Sequence, residues 1–274
     1  MMRALWTGAA GMKAQQTNVD TIANNISNVN TTAYKSQSTQ FKSLLYQTLQ
    51  TESTSANGQA KPTTAQVGLG TRVASINSSY TQGTEIASSN NMALCISGNG
   101  FFAVRGNNNQ TYYTRNGDFN WSVSNNPKEL VLADSSGHPV LDTAGKNVVL
   151  PVGVGTDSVS IGKTGVVAYR NAKGTFTPTG QTVGLYQFSN PSGLEKEGSN
   201  LLAQTAASGT PINEATTNLQ ISKSGVIQGS LEGSNVNVAD EMVNLIIAQR
   251  AYELNSKAIT TADTMLEQAN SLKR

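Results

Sequence analysis

The residues able to do chemistry are few and scattered. One cysteine, Cys95, and one histidine, His138, are all the chain offers for a thiol–imidazole pair. Cys95 stands in the apolar run MALCI (92–96), which predicts a buried, inert thiol rather than a nucleophile. His138 lies in the turn-like stretch SSGHPV, and Asp134 or Asp142 could orient its ring as a base. All three belong to one strand–turn region and no nucleophile accompanies them, so a turn histidine is expected. Glu195, Lys196 and Glu197 read as a solvated loop rather than an acid–base dyad. Phosphate-loop, zincin, CxxC and GxSxG patterns are absent. Gly98-Asn-Gly100 and Gly153-Val-Gly155 lack the third glycine and the helix of a dinucleotide loop and read as turns. No catalytic set, no cofactor, no metal site and no small-molecule substrate are therefore expected.

Composition narrows the class further. Charged residues make up 13% of the chain, about half the usual share of a soluble globular protein. Ser, Thr, Asn, Gln and Gly fill the gap, a habit of surface-exposed and β-rich proteins. The formal net charge of +2, with no Lys/Arg cluster, argues against a nucleic-acid partner. A lone cysteine rules out an intramolecular disulfide framework. The start, MMRALWTGAAGMKAQQ, has no apolar run of signal-peptide length, and no stretch approaches a membrane span. The expectation is a cytoplasmic protein, or one exported without a cleaved leader.

The two ends of the chain share a pattern that the middle lacks. Leu5, Met12, Val19 and Ile26 fall seven residues apart, as do Val238, Leu245, Tyr252, Ile259 and Leu266. A strict seven-residue repeat marks a helix that keeps one narrow seam against other helices. Residues 3–28 read as the first helix, widened by Ala9, Ile22 and Ala23 and weakened at Gly8 and Gly11 by roughly 1 kcal/mol each. The second starts at Asn237, a plausible N-cap, with Asp240 and Glu241 at the positive end of the macrodipole. From Val238 to Arg274 it would run roughly 55 Å. Small residues at Ala248, Ala262 and Ala269 predict close helix approach.

Between the ends the pattern changes to short apolar strands punctuated by turns. Residues 101–105 and 111–115 flank a GNNNQ turn, a hairpin signal. IGKTGVV (161–167) and ISKSGVI (221–227) echo each other as strand, tight turn, strand, with Gly165 and Gly225 expected at positive φ. Phe41, Leu44, Leu45 and Leu49 form a short amphipathic segment. Residues 51–66 are polar, small and broken by Gly58 and Pro62, the composition of a flexible loop. The expected fold is α+β: long terminal helices packing as a coiled-coil-like domain, with a central, mainly antiparallel β domain in one or two lobes. The domain boundaries expected are 1–35 with 234–274 for the helices, 36–66 for a connecting extension and 67–233 for the β-rich part.

Five segments carry a resemblance. ANNISNVNTTAYK (23–35) is similar to the N-terminal motif of bacterial flagellar rod and hook proteins. SNVNVADEMVNLI (234–246) and QRAYE (249–253) resemble the C-terminal motif of that family. ISGNGFF (96–102) and YTRNGDF (113–119) match its central β signature. Their order and spacing hold over nearly the whole chain, though residues 120–174 match loosely. Chain length, FKSLLYQT (41–48) and the polar stretch after it make the distal rod members the most similar. In those proteins the region around Phe41, Leu44, Leu45 and Tyr46 is implied to form a rod-specific extension, which competes with the loop reading of 51–66.

The resemblance implies an axial structural subunit of the basal body that assembles with itself into a hollow helical tube. That tube would transmit torque from motor to hook and pass exported subunits. Implied partners are further copies of the chain, proximal rod proteins, the hook protein and, where an outer membrane exists, basal-body ring proteins. The implied location spans the periplasm or cell wall. The inter-subunit seam expected is Leu5, Met12, Val19 and Ile26 with Leu245, Tyr252, Ile259 and Leu266, its register fixed by Asn24, Asn25 and Asn28. A private helical hairpin within one chain is the alternative for that seam. Proximal rod or hook-type proteins, a coiled-coil surface adhesin and, more remotely, a β-rich hydrolase are the alternatives for function.

Overall fold

The computed structural model describes residues 2–50, 65–106, 108–123, 129–151, 154–155, 158–171, 175–216 and 222–272. The chain is α+β, with one helix at each end and antiparallel strands between. It divides into two compact units, each built from separate stretches of sequence. One holds Met1–Ser27, Gln37–Ser78 and Asn237–Arg274; the other holds Asn28–Ser36 and Ser79–Val236.

The first unit is helical with a β ribbon. Helix α1 (Met2–Ser27) and helix α2 (Val238–Ser271) pack on each other, and α1 also packs on strands β1 (Gln37–Ser43) and β4 (Thr71–Ser78). Gly8 lies against Ile259, Gly11 against Asn255 and Asn25 against Glu241, so the two helices run antiparallel. The cap of α2 forms as its sequence predicts, with the Asn237 side chain accepting from the Ala239 N–H at 3.2 Å. β1 pairs with β4 from Gln37↔Ser78 to Ser43↔Thr71, with a bulge that leaves Ala74 unpaired. β2 (Tyr46–Gln50) pairs with β3 (Ala65–Gly68), continuing the ribbon. Phe41 lies in β1, Leu44 and Leu45 join β1 to β2, and Tyr46 opens β2. Residues 51–64, most of the polar stretch, lie outside the described residues.

The second unit is antiparallel throughout its described ladders. Its largest sheet takes the order Glu195–Gly198, Leu201–Ala203, Thr111–Thr114, Phe101–Arg105, Leu185–Gln187 and Ile212–Asn213. The expected hairpin of 101–105 with 111–114 is present. Adjacent strand residues point to opposite faces, and Phe101 and Phe102 thereby head two cores. Phe102 packs with Leu94, Ile96, Phe119, Leu132 and Val167. Phe101 packs with Tyr113, Leu141, Phe188 and Leu202, its ring edge-on to Phe188 at 5.8 Å. Both phenylalanines are essentially inaccessible to solvent, a burial that contributes roughly 1.5–3 kcal/mol for each ring.

The two echoing segments differ in structure. Val159–Ile161 and Val166–Arg170 form the expected hairpin, with Gly165 at φ +78° in the turn. Gly225 instead opens the extended strand Gly225–Gln228, which pairs with Leu94–Ser97, so positive φ is not needed there. Ile221, which opens that second segment, lies outside the described residues. Glu195, Lys196 and Glu197, read from sequence as loop, form an exposed strand at the edge of the largest sheet. No described helix is long and apolar enough to cross a membrane.

Candidate assembly surfaces and the buried charge cluster

The residues with chemical potential stay apart. The Cys95 side chain is 1% exposed, and burial pushes its thiol up to about 11. A thiolate is the reactive form, so the folded protein is expected to resist iodoacetamide at pH 8 and to react fully once unfolded. Mass spectrometry of labelled samples checks this, and native labelling at the unfolded rate would refute it. His138 Nδ1 lies 3.0 Å from Asp134 Oδ2 in a turn whose backbone the same carboxylate holds. Asp142 is turned elsewhere, accepting from Thr143 and Thr182. Among the described residues no group of His, Cys, Asp or Glu could hold a metal ion.

The helical pair is built around small residues. A Cβ on Gly8 would stand 2.9 Å from Ile259 Cγ1, and one on Gly11 would stand 2.9 Å from Asn255 Nδ2. These glycines weaken α1 as an isolated helix, yet their hydrogens admit α2. Ala14, Ala248 and Ala262 are buried in the same unit, whereas Ala269 is exposed. Seven of the eight residues of the expected seam, Leu5, Met12, Val19, Ile26, Leu245, Ile259 and Leu266, are half-buried. Tyr252 is 43% exposed and, with Val19, lines an open groove of about 400 Å³.

Periodicity on the heptad missed a second apolar stripe. Met242, Val243, Ile246, Ile247, Leu254 and Met265 are all more than half exposed on α2. Their spacing follows fours and sevens beside the heptad, a signal that a search for one seam passes over. Single exposed apolar residues are ordinary; a run along one helix marks a contact surface.

Asn25 is fully buried inside the helical unit. Its Nδ2 donates to the Gln37 carbonyl at 2.8 Å and to Glu241 Oε1 at 3.0 Å, and its Oδ1 accepts from the Gln37 N–H at 2.9 Å. It therefore ties α1, β1 and α2 of one chain together. Burial holds the Glu241 carboxyl above the ordinary carboxylate range, with the Asn25 amide pulling it back. Asn24 is exposed, and Asn28 belongs to the β-rich unit, where its Oδ1 accepts from Thr31.

The β-rich unit contains a charge cluster that no sequence pattern announced. Glu232 is 1% exposed and takes Lys35 Nζ at 2.6 Å, Arg115 Nη1 at 3.3 Å and the Gly83 N–H at 3.0 Å. Lys35 also donates to the Thr81 carbonyl, and Arg115 donates to the Gly98 carbonyl while lying over the Phe101 ring. Burial lowers the Lys35 ammonium from its ordinary range, and Glu232 opposes that shift. Lys35, Gly98, Phe101 and Arg115 come from three of the motifs quoted above. Residues of those three motifs thus meet in one buried place within the unit.

Comparison with known proteins gives these surfaces a family. The model described as "Flagella basal body rod protein" matches residues 5–35. "Flagellar hook protein FlgE/F/G D1 domain" matches 95–169, and "Flagellar basal body rod FlgEFG protein C-terminal" matches 227–272. The flagellar basal-body rod protein FlgG of Borreliella burgdorferi is 42% identical over 276 residues, covering 100% of both chains. That of Agrobacterium fabrum is 41% identical, covering 96% of this chain and 97% of its own. That of Bacillus subtilis is 35% identical over 100% of both. With both helices, the β signature and full-length identity in agreement, the chain belongs to the family of flagellar basal-body rod proteins.

Proposed function

We propose that this chain is a structural axial subunit of the distal rod, and that copies of it polymerise through their terminal helices into a hollow helical tube. It is a basal-body protein and not an enzyme, as its family is. The observation that carries the polymer reading is the half-satisfied helical unit. α1 and α2 pair within the chain, yet the heptad seam is only half-buried and the stripe from Met242 to Met265 faces solvent. Further copies would cover that surface, completing coiled-coil-like packing around Leu5, Met12, Val19, Ile26, Leu245, Tyr252, Ile259 and Leu266. A head-to-tail contact whose rotation does not close yields a helical filament. The tube would carry torque and let later subunits pass. Its remaining contacts would be proximal rod proteins, the hook protein and ring proteins of the envelope. Phe41, Leu44, Leu45 and Tyr46, in and beside the ribbon, would supply the rod-specific contact. Export as an unfolded chain suits a sequence whose single cysteine cannot form an internal disulfide.

Substitution tests this directly. Ile247→Asp places a charge on the exposed stripe and Leu245→Asp places one on the heptad seam. Both are expected to abolish filaments seen by electron microscopy while the β-rich unit keeps its near-ultraviolet circular dichroism. Normal polymerisation of both variants would sink the reading. Loss in Leu245→Asp alone would mean that the seam is a private hairpin of one chain.

A further inference from the structure

Two like-charge pairs face solvent in the helical unit, and among the described residues neither meets an opposite charge. Lys42 and Arg72 stand directly opposite each other in the β1–β4 ladder, both exposed. Like charges directly opposite in a ladder destabilise it. Alternation puts them on the face opposite Thr39, whose hydroxyl bonds Thr21 of α1 at 3.1 Å. On α2, Asp263 and Glu267 are one turn apart and exposed, an arrangement that weakens a helix. Among the described residues, none of the four side chains forms an ion pair.

The two pairs are opposite in sign and alike in spacing. Cβ atoms lie about 4.5–5.5 Å apart across a ladder and about 5–6 Å apart across one helical turn. Within one chain they form no ion pair with each other. Asp263 and Glu267 lie on α2 beyond Ile259, which packs at Gly8, and Arg72 stands two residues from Gly70, which packs on Thr7 and Ala10 of α1.

We infer that Lys42 and Arg72 of one copy receive Asp263 and Glu267 of a second copy, as a two-by-two ionic contact between neighbouring subunits. This rests on the polymer reading above and names one of its contact surfaces. The donor patch and the acceptor patch are different surfaces of the same chain. Every copy thus carries both halves, and in a head-to-tail arrangement whose rotation does not close the contact propagates from copy to copy. Outside the assembly each pair repels itself. Charge complementarity of this kind chiefly sets register and rejects wrong partners.

A charge swap tests the pairing on the full-length chain. Lys42→Glu/Arg72→Glu and Asp263→Lys/Glu267→Lys each keep a like-charge pair, so far-ultraviolet circular dichroism should be unchanged. Each is expected to raise the concentration at which polymer appears in sedimentation by at least about tenfold. The four-site variant, with both pairs reversed, is expected to return to within about threefold of the original. If either reversal alone polymerises normally, the inference is wrong. Loss in both without recovery in the four-site variant overturns it as well, because the charges would then meet other groups. A parent chain that never polymerises would instead remove the polymer reading itself, and with it this contact.

Discussion

Glu232→Gln is expected to destabilise the β-rich unit by about 3–5 kcal/mol, because it leaves two buried cations without their carboxylate. The amide keeps the shape of the glutamate and can still accept from Lys35, so packing is little changed and the loss is electrostatic. For a unit of this size it corresponds to a fall of roughly 10 °C in its thermal transition. The pH dependence distinguishes this from a packing defect. Lys35 already sits below its ordinary value of 10.5 through burial, and Glu232 is what holds it up. In the variant it falls further, so the unfolded chain binds more protons than the folded one. Stability then rises with pH between the depressed folded value and the ordinary one. The deficit should shrink from pH 7 toward pH 10 in denaturant titrations. A deficit independent of pH, or below about 1 kcal/mol, would show that the cluster does not hold the unit closed.

Asn25→Ala should lower the stability of the helical unit by about 3 kcal/mol. It removes three hydrogen bonds and leaves the Gln37 N–H and carbonyl buried without partners, at about 1–3 kcal/mol for each such group. Asn25→Asp is the sharper probe. The introduced carboxylate still accepts from the Gln37 N–H but confronts the Gln37 carbonyl and the Glu241 carboxylate. That repulsion raises its folded pKa above the unfolded value, so stability is regained as pH falls through the folded value. Circular dichroism at 222 nm, followed in denaturant at pH 7 and pH 5, should show the Asp variant recovering at the lower pH. Equal loss at both values would mean that the site is reached by water and that Asn25 is not the tie.

Much of the frame was legible. Heptad spacing located both helices to within three residues, and Asn237 with its acidic first turn marked where α2 begins. What failed has physical causes. Gly8 and Gly11 contribute nothing to a hydrophobic period, so the face by which α1 meets α2 stayed hidden behind the apolar seam. Gly225 sat in an echo of a real turn, but its strand partner, Leu94–Ser97, lies far away in sequence and overrides local turn chemistry. The Gln-, Ser- and Thr-rich outer face of β1 and β4 gave no alternation to read. Lys35, Arg115 and Glu232 are isolated charges in unlike surroundings, and nothing local says that they meet. The motifs that contain the first two were recognised as family markers while their role went unread.

The Lys35–Glu232 ion pair joins residues 197 positions apart. Closing so long a loop is slow, because chain entropy is lost before the contact returns anything. A ribosome or an export channel delivers Lys35 early and Glu232 almost last. Until then Lys35 and Arg115 have no buried partner, and the unit cannot shut without stranding two cations. Completion of folding is thereby timed to the arrival of the C-terminal stretch, and a chain broken off before residue 232 is left open to proteolysis.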